Sequence, residues 1–188
     1  MTRVGAEDSN VAYITFFDSI SDITVKAAMA AICELIDREK PDILYFLFSS
    51  PGGDVYPGIT LFNFLRALPV NVIMHNIGNI DSIANIVFLA ADTRYACVHS
   101  SFLLHGIIWN VVQPSLTKGQ LCEIIDGINQ YELRISGIIT ERSNLTAEEM
   151  KMWFAQGETK TADFALSRGI VCEIKDPMIP KGAKVLTL

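Results

Sequence analysis

Three times in the first half of the chain, a β-rich or wholly apolar run is followed, after a polar break, by apolar residues at helical spacing. Val11–Phe17 precedes a helical pattern over 23–36, carried by Ile23, Ala27, Ala30, Ala31 and Leu35; the run 43–48 precedes one over 55–68; the run 70–75 precedes one over 82–91. A strand without alternation is covered on both faces, and parallel neighbours need a helical crossover. The repetition therefore predicts an α/β fold around a largely parallel sheet. Lys40-Pro41-Asp42, Ser49-Ser50-Pro51-Gly52-Gly53 and Pro69 supply the breaks. Further on, the pattern predicts short strands over 94–98 and 102–104 and a long amphipathic helix over 117–142, weakened by Gly127 and Gly137. A helix over 146–154 with Thr146 as N-cap follows, then a short helix over Ala162–Ser167 ended by Gly169, and a last strand over 171–174. Residues 1–10 read as a mobile arm and 176–188, with Pro177, Pro180 and Gly182, as an irregular tail. With no linker and no internal repeat, the whole of 1–188 reads as one domain.

Half of the 188 residues are hydrophobic and 19% are charged, which excludes a disordered chain and leaves apolar surface for another subunit. A net charge of −6 disfavours a general nucleic-acid or anionic-membrane binder, which needs a basic face. Mean hydropathy is +0.32, yet no apolar stretch approaches the ~18 residues of a membrane helix, and Asn85 interrupts the apolar run 83–91. The opening MTRVGAEDSN lacks the hydrophobic centre of a signal peptide, so a cytoplasmic protein is expected. Cys33, Cys97, Cys122 and Cys172 are scattered without a CxxC pair. They read as buried reduced thiols, with neither a metal nor a cofactor implied.

Three places offer chemistry. The paired glycines of Ser49-Ser50-Pro51-Gly52-Gly53, between a buried strand and a helix, allow backbone N–H groups to face a bound carbonyl as an oxyanion hole; a plain tight turn uses the same residues. Ser82, after Asn76-Ile77-Gly78-Asn79-Ile80-Asp81, stands where a strand gives way to an apolar helix, a place suited to a serine nucleophile or simply to an N-cap. His105 ends a short strand, at the sheet edge where ligands of α/β folds bind, and is a candidate general base with His75 and His99 as rivals.

Taken together, SSPGGDVYPGITLFNFLR, GNIDSIANIVFLAADTRYACV and SFLLHG resemble the ClpP family, the proteolytic subunits of Clp proteases, in order and spacing from about Val11 to Ile174. The resemblance implies a ClpP/crotonase-type spiral of βαβ units, with the helix over 117–142 as its long handle. Pro51-Gly52-Gly53 alone is also compatible with acyl-CoA chemistry on the crotonase scaffold; Ser82 with His105 points to peptide hydrolysis. By the resemblance Ser82 is the nucleophile, His105 the general base, and the N–H groups of Gly53 and Ile83 the oxyanion hole of a serine endopeptidase. It further implies polypeptide substrates, a hexameric or heptameric ring with stacking of rings, and an ATP-driven AAA+ unfoldase as partner. No GxxxxGK[ST] motif is present, so ATP hydrolysis would belong to another chain.

Two departures stand out. The family's orienting Asp aligns with Gly157, with Glu158 as the nearest substitute and Asp81, Asp126 and Glu132 as further candidates. Gly106-Ile107 replaces the usual Gln-Pro after the histidine, in the segment that supports substrate and ring contacts, while Asn129, Gln130, Glu132 and Arg134 on the handle offer polar contacts across rings. A weak or inactive ring-building paralogue is the alternative these departures favour.

Overall fold

The computed structural model describes residues 10–111 and 115–188; the greater part of the expected N-terminal arm, residues 1–9, lies outside the described residues. The chain alternates as read: β1 (Val11–Phe17), α1 (Asp22–Glu39), β2 (Ile43–Ser50), α2 (Val55–Ala67), β3 (Asn71–Asp81), α3 (Ala84–Phe88), β4 (Thr93–Ala96), β5 (Ser101–Leu104). Then come α4 (Lys118–Arg142), α5 (Ala147–Gln156), β6 (Glu158–Thr161), α6 (Ala162–Ser167), β7 (Glu173–Ile174) and β8 (Val185–Thr187). One sheet runs β6-β5-β3-β2-β1-β8, with β4 on β3 and β7 on β4, and every pairing is parallel except β5 with β6.

Local chemistry sets the helix ends. Ser21 and Thr24, Thr117 and Gln120, and Thr146 and Glu149 each form a reciprocal capping box, satisfying backbone donors that a helix start leaves open. Thr146 is the N-cap read from the sequence and Thr117 the residue at which the long helical pattern begins, while Ser21 lies ahead of the pattern over 23–36. Val25, Ala28, Ile32 and Leu35 of α1 and Ile59, Leu61 and Leu65 of α2 bury one face each, while α3 is buried all round. At roughly 1.5–3 kcal/mol for each large side chain fully removed from water, these faces dominate the attachment of helices to sheet.

The third strand departs most from the spacing argument. Residues 76–81 lie beyond the strand predicted over 70–75 but continue β3, which pairs with β4 through Ile73–Asn76 and then changes neighbour, pairing with β5 at Asn79, Ile80 and Asp81. Side chains hold the handover. Asn76 donates from Nδ2 to the Ser101 carbonyl at 3.0 Å and accepts from the Gly78 N–H at 3.0 Å. Across the register shift in β2, Ser49 Oγ bonds both the carbonyl and the N–H of Asn79 at 3.1 Å. This turn of one strand from neighbour to neighbour gives the spiral its advance and carries Ser82 to the sheet edge.

Three smaller expectations are corrected. The tail 176–188 is not wholly irregular: Val185, Leu186 and Thr187 add β8 in parallel to β1. The short strand β6 was not anticipated. All four cysteines are free, but Cys33, Cys122 and Cys172 are exposed rather than buried, because they lie on outward faces of this chain.

Candidate active site

Asp81 ends β3, and Ser82 turns the corner with φ 55°, one of two non-glycine residues with positive φ among those described. That left-handed geometry costs of order 1–3 kcal/mol and persists only where surrounding contacts impose it. Here the contacts are explicit: the Ser82 N–H donates to the Leu103 carbonyl at 2.7 Å, and the Ser82 carbonyl accepts from the Asn85 N–H at 3.1 Å. The buried Asn85 amide adds a clamp, donating from Nδ2 to Leu103 O at 2.8 Å, Ser82 O at 3.0 Å and Ile80 O at 3.2 Å. Asn85 escaped the reading by function; its one signal was its interruption of an apolar run.

The helix after Ser82 is shorter than the spacing predicts: α3 spans five residues and begins at Ala84, not at 82. A dipole from so short a helix is small, so stabilisation of negative charge at this corner falls to individual N–H groups. In the β2–α2 turn Gly52 packs against the serine corner and Gly53 against Ile20. A Cβ on Gly52 would lie 2.6 Å from Asp81 O and 2.7 Å from Ser82 Cβ, at φ 84°; one on Gly53, at φ 148°, would lie 2.2 Å from Ile20 O. Only glycine lets this turn press against both the serine corner and the β1–α1 connection. Gly53 bridges Ile20 in parallel through its neighbours, Ile20 N–H to Gly52 O and Asp54 N–H to Ile20 O, both at 2.8 Å. By strand geometry the N–H of Gly53 itself then points away from Ile20.

The three histidines now separate. His75 is wholly buried on β3, and both ring nitrogens are engaged, Nδ1 with Tyr45 Oη at 2.7 Å and Nε2 with the Lys175 carbonyl at 2.9 Å. Burial lowers its pKa, with the Lys175 carbonyl opposing. His75 is structural. His99 is exposed in the β4–β5 connection. His105, half-buried just past β5, follows by two residues the Leu103 that pairs with Asp81 and receives the Ser82 N–H. Its Nδ1 meets the carbonyl of Gly106 at 2.6 Å; a carbonyl only accepts, so Nδ1 is the donor, and in the neutral ring Nε2 is then the nitrogen with the lone pair. Among the described hydrogen bonds none joins the Ser82 hydroxyl to this ring.

Gly157 stands against His105: a Cβ there would lie 3.2 Å from His105 Cβ, and φ is 64°. Glu158, the nearest substitute by sequence, pairs with Leu104 in the antiparallel β5–β6 ladder, so its side chain shares the face of Leu104, and its carboxylate takes Lys160 Nζ at 2.5 Å. Asp81 is half-buried; burial raises its pKa, while the His105 ring and then the Leu103 N–H act the other way. Glu132 Oε1 comes within 3.7 Å of where a Cβ on Gly106 would be. Asp126 is exposed on α4. A concavity of about 570 Å³ between β1, α1 and β8, lined by Tyr13, Leu35 and Leu186 among others, contains none of these groups.

Fold and sequence comparisons agree on the class of protein. The chain is similar in structure to a ClpP1 mutant from Listeria monocytogenes, with a TM-score of 0.76 over 89% of this chain and 92% of that one at 18% identity, which establishes the shared fold. The Clp protease family matches residues 9–178, so the chain belongs to the Clp protease family. It is 36% identical to ATP-dependent Clp protease proteolytic subunit 2 of Pseudomonas aeruginosa over 136 residues, 71% of this chain and 66% of that protein. To the subunit 2 of Borreliella burgdorferi it is 33% identical over 121 residues, 63% of this chain and 54% of that protein. The matches thus span from about half to just under two thirds of those relatives' length. A 28% match to proteolytic subunit 1 of Chlamydia pneumoniae covers 82% of this chain and 85% of that protein. No helix among the described residues is long and apolar enough to cross a membrane, and they contain no cluster of three or more His, Cys, Asp or Glu able to hold a metal ion.

Proposed function

We propose that this protein is a serine endopeptidase that cleaves unfolded polypeptides or peptides through an acyl-enzyme on Ser82, with His105 as general base. The observation that carries the reading is the strained Ser82 corner, held by Asn85 and Leu103 one strand from His105 and packed against Gly52. In the reaction His105 Nε2 takes the Ser82 hydroxyl proton as Oγ bonds to the peptide carbonyl carbon. The oxyanion accepts the N–H groups of Gly53 and Ile83, the carbon–nitrogen bond breaks, and His105 delivers its proton to the leaving amine. Water then attacks the ester with His105 again taking the proton, which returns to Ser82 Oγ as the acid departs. The relatives are named as proteolytic subunits of ATP-dependent Clp proteases, which supports a subunit that works with an ATP-driven partner; a cytoplasmic ring, hexameric or heptameric with rings stacked and fed by an AAA+ unfoldase, is the assembly we propose for it.

Gly157 favours a second reading, a ring subunit that is weakly active or inactive. One experiment separates them. A fluorophosphonate should label wild-type protein at Ser82, with labelling lost in Ser82→Ala and reduced by at least ~10²-fold in His105→Ala, whereas Glu158→Gln should label at the wild-type rate. A folded wild-type protein that stays unlabelled at micromolar reagent overturns the peptidase reading in favour of the scaffold.

A further inference from the structure

The position that would carry the orienting carboxylate is closed in this chain. Gly157 has a left-handed backbone, and any Cβ would press on His105 Cβ, so a replacement acid cannot simply be inserted there. The ring is nevertheless held, and a different acid lies on its face of the sheet. Asp81 pairs with Leu103 in the parallel β3–β5 ladder, so their side chains share one face, while Ile80 and Phe102 turn into the core. His105 is two residues beyond Leu103, so the alternation of β5 carried one residue past its end returns it to the side of Leu103 and Asp81, with Gly157 against its Cβ. Glu158 shares the face of Leu104 and pairs with Lys160.

We propose that Asp81 provides the negative charge that accompanies the His105 imidazolium, while the Gly106 carbonyl holds the Nδ1 proton, so that the two tasks of a triad carboxylate are divided between two groups. Asp81 is thus a positioning residue that acts through His105, and the inference rests on the reading of His105 as general base. The division follows from geometry: Nδ1 is already taken by Gly106 O at 2.6 Å, and Asp81 need only lie close enough for its charge to be felt. The electrostatics agree, since His105 is the foremost influence favouring the charged form of an Asp81 carboxyl that burial otherwise disfavours. A carboxylate directly preceding a nucleophilic serine repels anionic charge on the serine oxygen, a cost that the counter-charge on His105 offsets. Among the described residues, the charged or titratable groups near His105 from the packed elements are Asp81 from β3 and, beside Gly106, Glu132 from α4; Gly157, which precedes β6, brings none, and the β5–β6 ladder sets Glu158 opposite Leu104.

Two readouts test this on the intact protein. In the first, the Asp81 carboxyl is followed by carbon NMR: replacing His105 by Gln should move its titration to higher pH, because the cation that favours its charged form is gone. In the second, the pH dependence of Ser82 labelling by a fluorophosphonate is compared across variants. Asp81→Asn should slow labelling about tenfold and move its acidic limb to lower pH, as the negative charge that favours a neighbouring cation is removed. Asp81→Glu should restore the limb, Asp81→Ser serves if Asn does not fold, and Glu132→Gln should leave the limb in place. An Asp81 titration indifferent to His105, an unmoved limb in Asp81→Asn, or a limb moved by Glu132→Gln instead would each overturn the proposal. If wild-type Ser82 is unlabelled while the Asp81 titration still answers to His105, the pairing stands and only the peptidase reading falls.

Discussion

Among single residues, the histidines show how far environment decides role. His75 and His105 both end apolar runs, and spacing left them nearly equivalent. Burial and hydrogen bonding separate them: His75 links Tyr45 to the Lys175 carbonyl inside the sheet, while His105 is half-buried just past β5 with only its Nδ1 engaged among the described hydrogen bonds, by the Gly106 carbonyl. His75 also makes stability pH-dependent. Its folded pKa is lowered, so below the unfolded value of about 6.5 the unfolded chain binds more protons than the folded one. Its contribution is full above that value and declines as pH falls toward the folded pKa. Urea unfolding at pH 7.5 and pH 5 should show wild-type stability dropping with pH. His75→Gln should start lower by about 1–3 kcal/mol, having lost its fitted hydrogen bonds, and show a shallower drop.

For elements, the first three strand–helix units were legible because their strands are continuously apolar and their helices periodic. What escaped was held by polar contacts that periodicity does not register. The second half of β3 contains Asn76, Gly78, Asn79 and Asp81, and it is a strand only because Asn76, Ser49 and Gly78 tie it across two neighbours. The short strand β6 matters at the site, since its ladder sets Glu158 opposite Leu104 and pairs it with Lys160. The β2–α2 turn, by contrast, was readable from its glycines, and its fit is testable. Gly52→Ala places a methyl group 2.6 Å from Asp81 O on a backbone with φ 84°. The chain should still fold but be less stable by at least about 1 kcal/mol in urea unfolding, and displacement of the serine corner should slow Ser82 labelling by ~10²-fold.

Across the whole molecule, α4 is the element least accounted for by one copy of the chain. Along its 25 residues only Ile135 and Ile139 are buried, and Leu121, Ile125 and Leu133 are 48%, 58% and 68% exposed. The apolar excess of the composition comes to the surface here. If this face meets other subunits, Ile125→Asp with Leu133→Asp should shift the assembly toward single subunits in native mass spectrometry while the melting of each subunit changes little. Ile139→Asp should instead destabilise the subunit itself, by 3 kcal/mol or about that. The added strand β8 has a different consequence, one of timing. Thr15 of β1 bonds Thr187 of β8 across 172 positions of sequence, so β1 emerges from the ribosome long before its outer neighbour exists. Throughout synthesis, that margin of the sheet is open to solvent, and a nascent chain stalled before residue 185 presents an edge strand able to pair with its neighbours on a polysome.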